Sequence, residues 1–169
     1  PNTDKQVVFD CYESNKTTKN GFTPISFNNQ FVNKPVIISQ VASYNDSDYV
    51  LTRTKNITNN SFECSMQESE GLDNLHASER IDWCAFSIGK HTFNDKKFQC
   101  GSIQNVNQNE STFTLAPNYF STQPKLLTKC SSYNGGDTVN TRNSEPESIY
   151  KFSIRLQEET TKDSETNHV

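Results

Sequence analysis

The chain has 169 residues, a net charge of −4 and only 31% apolar residues, with a mean hydropathy of −0.81. That length fits one large domain or two of roughly 80 residues. The acidic balance argues against nucleic acid as a partner, and no apolar stretch nears the roughly 20 residues that span a bilayer.

In chain order, Pro1 opens the sequence without a methionine or an apolar leader, as expected of a processed product. Residues 5–14, KQVVFDCYES, are rich in β-branched and aromatic residues and precede the turn-forming NKTTKNG. Residues 35–44 (PVIISQVASY) and 47–57 (SDYVLTRTKNI) are strand-length apolar segments between polar turns. In residues 62–68, FECSMQE, alternation places Phe62, Cys64 and Met66 on one face. Residues 81–89, IDWCAFSIG, likewise align Ile81, Trp83 and Ala85 and turn Cys84 outward. No window has a helical period with caps. Short strands separated by turn signals define an all-β chain, an antiparallel sandwich or barrel.

The second half repeats the first. At an offset of 89, Phe9, Cys11, Phe31 and Pro35 meet Phe98, Cys100, Phe120 and Pro124. Ser43, Tyr44, Asn45 and Asp48 meet Ser132, Tyr133, Asn134 and Asp137, and Val50, Thr52 and Arg53 meet Val139, Thr141 and Arg142. After a one-residue insertion, the strand from Phe62 meets that from Phe152. One register held so long marks an internal duplication. The expected organisation is two tandem antiparallel β-sandwich domains, residues 1–92 and 93–169. The second is short of its final strand, because the counterpart of residues 81–89 falls beyond Val169.

Cysteine usage follows the repeat. Cys100 matches Cys11, but Ile154 stands where a second Cys64 would be, so Cys11 and Cys64 are expected to form a disulfide suited to an oxidising compartment. Cys84 could then bridge to Cys100 or Cys130. Sequons at Asn15, Asn45, Asn56, Asn59 and Asn109 agree with an extracellular, secreted glycoprotein. Such triplets also arise by chance in a chain this rich in Asn, Ser and Thr.

Two clusters carry binding chemistry. Tyr44, Asn45, Asp46 and Asp48 gather at one strand end, and Tyr133, Asn134 and Asp137 repeat them. An aromatic face that stacks on a sugar ring, beside groups that accept hydroxyl hydrogen bonds, is what carbohydrate binding needs. The same residue types also make turns. Arg53 and Arg142 are expected to pair with carboxylates across the sheet or to grip an anionic ligand. No CxxC pair and no His spacing supports a metal site. No nucleophile elbow, P-loop or zinc-protease helix supports an enzyme, and no cofactor is implied.

The ordered set VVFDC at residues 7–11, ISFNNQFVNKPVIISQV at 25–41, Arg53, KNITNNSFEC at 55–64 and IDWCAFSIG at 81–89 resembles the H-type lectin domain family, the snail agglutinins and the C-terminal domains of discoidins. The resemblance implies six-stranded antiparallel sandwiches that bind glycans and usually trimerise, and it implies the same Cys11–Cys64 bridge. The family's sugar contacts come from a loop before the second strand, an arginine on the fourth and a histidine after the fifth. The last two fall at Tyr49 and near Glu70 in this sequence. The strand absent from the second copy raises a second expectation, a homo-oligomer or an extracellular filament assembled head to tail by a donated β-strand, with residues 1–10 as donor.

Overall fold

The computed structural model describes residues 21–144 and 148–162, together with the backbone of residues 11–16. Described residues are all-β, with eleven strands and no helix. The first six are β1 (Cys11–Lys16), β2 (Thr23–Ser26), β3 (Val36–Val41), β4 (Val50–Lys55), β5 (Ser61–Glu68) and β6 (Glu79–Phe86). They form two antiparallel three-stranded sheets, ordered β1-β6-β3 and β2-β5-β4.

Period-two alternation determines what these sheets bury. Ile81, Trp83 and Ala85 of β6 meet Phe62, Cys64 and Met66 of β5 in a core completed by Phe27, Phe31, Ile37 and Ile57. The Trp83 ring packs edge-on to Phe62, with centroids 5.1 Å apart, and Phe27 lies 5.9 Å from it. Offset and edge-to-face rings add to the gain from burial. Pro24 is tolerated in β2 because that strand lies at the sheet edge, where a missing N–H breaks no ladder.

A hairpin follows, of β7 (Gly89–Phe93) and β8 (Lys96–Cys100). Asn94 and Asp95 both take left-handed φ, 45° and 62°, as a two-residue hairpin turn with matched twist requires. The expected domain boundary between residues 92 and 93 thus lies inside β7, and the hairpin links the two copies.

The second copy holds β9 (Ser111–Thr114), β10 (Val139–Asn143) and β11 (Lys151–Glu158), ordered β10-β11-β9. Its pairing repeats that of the first. Val50 faces Glu68 as Val139 faces Glu158, and Ile25 faces Phe62 as Phe113 faces Phe152. Side-chain bonds repeat too: Ser39 and Thr52 hydroxyls lie 2.8 Å apart, as do those of Thr128 and Thr141. In each copy the threonine also donates to the backbone carbonyl of its partner, at 3.0 and 3.1 Å.

Where residues 35–44 contain β3, their counterpart at 124–133 forms no strand. In the first copy β6 is the central strand of its sheet and is the partner of both β1 and β3. β8, which matches residues 7–11 of the first unit, pairs with β7, and residues 124–130 join no ladder among the described residues.

Cys11 is described by its backbone alone, where it stands opposite Cys84 in the β1–β6 register. Its expected bond to Cys64, the side chain of Asn15 and the donor segment 1–10 lie outside the described residues. Cys100 and Cys130 form no disulfide.

Candidate functional site

Two strands of opposing sheets end in glutamates that continue a buried face. Glu68 follows Phe62, Cys64 and Met66 along β5, and Glu79 precedes Ile81, Trp83 and Ala85 on β6. Both are buried, at 4% and 2% exposure. The imidazole of His76 sits between them, with Nδ1 3.4 Å from a Glu68 oxygen and Nε2 3.4 Å from a Glu79 oxygen.

Glu79 is fully engaged. Its carboxylate accepts the Ser43 hydroxyl and the backbone amides of Asn45, at 2.6 Å, and Asp46, at 3.2 Å. Burial opposes its ionisation, but these donors outweigh burial and hold the carboxyl below its usual range. The loop before β4 is therefore fixed to β6 by one buried anion. Asn45 donates its side-chain amide to the Ser78 carbonyl at 2.6 Å, and Asp46 accepts the Ala77 amide at 3.1 Å. That amide, against partial desolvation and with help from the amides of Asp48 and Ser47, holds the Asp46 carboxyl low.

The sequence cluster at residues 44–48 thus divides. Asn45 and Asp46 brace the turn, whereas Tyr44 is 81% exposed on that immobilised loop. Tyr49 (54%) and Leu75 (76%) are exposed on the flanking segments of the same sandwich end. Asp48 approaches Glu68 and Asp73 closely enough that one oxygen of each lies within 4.8 Å of the others.

The second cluster is placed differently. The Tyr133 ring meets Phe22 edge-on at 5.1 Å, and the Arg53 guanidinium lies 4.6 Å from its centroid. The backbone carbonyl of Asp137 accepts from Arg53 at 2.7 Å, while Asn134 is exposed. These residues form the seam between the copies, over the face of β4 and β5 that points away from the core. The seam explains why β5 is buried on both faces: Gln67 donates to the Gly136 carbonyl, and the Thr138 hydroxyl donates to the Glu68 carbonyl at 2.7 Å.

Among the described residues neither arginine forms an ion pair with a carboxylate. Arg53 donates to Gln67 Oε1 and Arg142 to Gln157 Oε1, both at 2.5 Å, a second side-chain contact that repeats between copies. Tyr49 and Glu70, the positions to which the resemblance assigns sugar contacts, also touch the second copy. Tyr49 Oη accepts from Asn140 at 3.0 Å, and the Glu70 amide donates to Glu159 at 2.9 Å. Among the sequons, Asn45, Asn56 and Asn109 are exposed and Asn59 is half-buried.

Sequence reasoning missed Glu68, His76 and Glu79 as a unit. A signal was present for two of them, since period two puts each glutamate in register with a core face, where an acid needs a partner. His76 follows from no local pattern, because only the fold brings its loop between the two strands.

No family model matches the chain, and no solved structure matches it. Halomucin of Haloquadratum walsbyi (strain DSM 16790 / HBSQ001) is 28% identical over 102 residues, which cover 59% of this chain and 1% of that protein. The chain therefore spans a very small fraction of this curated relative.

Proposed function

We propose that the chain is an extracellular carbohydrate-binding protein without catalytic activity, built from two H-type-lectin-like units, with Tyr44 as the sugar platform. The observation that carries this reading is a solvent-facing aromatic ring on a loop immobilised by a buried glutamate. A preformed platform of this kind loses little entropy when a ring stacks on it. The six antiparallel strands of residues 11–86, in two sheets around an aromatic core, support the lectin-like architecture. The likeness to halomucin, named as a mucin, supports an extracellular setting. Glycan-array screening tests the reading. Wild type is expected to bind a defined glycan set, and Tyr44→Ala to lose about tenfold or more, the scale of one aromatic stack. Equal binding by the variant would refute the platform.

A second reading is a structural subunit of an extracellular filament assembled by head-to-tail strand donation. It is favoured by residues 124–130, which hold the place of β3 through Thr128 and Thr141 yet pair with no strand. A strand inserted beside them would complete the second sheet. If residues 1–10 donate it, polymers seen by electron microscopy across a concentration series would vanish when residues 1–8 are deleted.

A further inference from the structure

The acids beside the Tyr44 loop do more than shape a turn. Glu68 has a side chain 2% exposed, and neither of its carboxylate oxygens has a hydrogen-bond partner. A buried carboxylate in that state is strongly disfavoured unless a positive charge faces it. Its surroundings add negative charge, because Asp48, just before β4, and Asp73, in the loop after β5, each bring an oxygen within 4.8 Å of it. Among the described residues no Lys or Arg pairs with any of the three. The one imidazole that faces Glu68, that of His76, is shared with Glu79, at 3.4 Å from an oxygen of each.

The duplication supplies an independent observation. Asp48, Glu68 and Asp73 correspond to Asp137, Glu158 and Asp163. Between residues 69–79 and 159–169 the copies share a single residue, and it is this aspartate. Glu158 is likewise buried, at 8% exposure, and faces Val139 as Glu68 faces Val50. Asp163 lies outside the described residues, so the site is argued for the first copy.

We propose that Asp48, Glu68 and Asp73 bind a divalent cation of the calcium class. All three ligands are hard oxygens. A span of 4.8 Å is twice a Ca–O bond of roughly 2.4 Å, so one ion reaches all three, whereas magnesium is held by one or two carboxylates and keeps its waters. The ion would tie the loop of Asp73 to the ends of β4 and β5, and that loop, through Ala77 and Asp46, holds the Tyr44 turn. The proposal is independent of sugar binding and is tested without sugar.

Calorimetric titration of the full, EDTA-dialysed chain with calcium chloride reads it directly. Asp73→Asn keeps the oxygen that accepts the Leu75 amide and alters an exposed residue, so the fold is retained. It is expected to bind one fewer equivalent of calcium than wild type, as is Asp48→Asn, while Asp95→Asn on the β7–β8 turn binds as wild type does. No calcium uptake by wild type at about 5 mM, above the range of weak extracellular sites, would overturn the proposal. So would equal stoichiometry in wild type and Asp73→Asn, or equal binding of magnesium.

Discussion

Lys129 shows how the seam between the copies controls individual residues. Burial pushes its amine down to about 8; the Cys64 and Cys130 thiols resist that shift and the Arg53 guanidinium assists it. A lysine whose folded value lies below its ordinary 10.5 binds fewer protons folded than unfolded, so stability rises as pH climbs above about 8. Cys100 acts in the opposite sense. Burial raises its thiol from 9.0 to about 11, so above pH 9 the unfolded chain loses that proton first and stability falls. Urea midpoints are therefore expected to rise between pH 8 and 9 and to level off above, and Lys129→Met should abolish the rise. At this scale the sequence was partly legible. Tyr44 is exposed on a strand-end turn as its neighbours suggest, but Asn45 and Asp46 hold that turn rather than face a ligand, because Glu79, distant in sequence, needs their amides.

Among the elements, alternation was the reliable guide. Phe62, Cys64 and Met66 on β5, and Ile81, Trp83 and Ala85 on β6, face the core as their spacing requires. Residues 124–133 show its limit. They carry the same apolar pattern as residues 35–44, yet a strand needs a partner as well as a pattern, and the partner of β3 is β6. Amide hydrogen exchange checks this difference. Amides of β3 are expected to exchange at least tenfold more slowly than those of residues 125–130, while β10 and β11 are protected like β4 and β5. Equal protection at 125–130 and β3 would mean that the second sheet is already complete. The double burial of β5 was not legible either, since Ser65 and Gln67 alternate as surface residues do and are covered only because the second copy docks on them.

For the whole molecule, the two copies have unlike surroundings. The seam occupies Tyr133, Asp137, Tyr49 and Glu70, so the equivalent turns make different contacts. The first copy keeps a free end, with Tyr44 outward and the Glu68–His76–Glu79 group beneath it. The repeat itself was plain in sequence; which copy retained an open surface was not, because packing between copies has no sequence period. The most direct measurement is an amide chemical-shift map of the labelled chain titrated with the best array glycan. Shifts confined to residues 43–49 and 73–79 are the predicted result. Shifts centred on residues 133–137, or no shifts at saturating glycan, would contradict Tyr44 as the sugar platform.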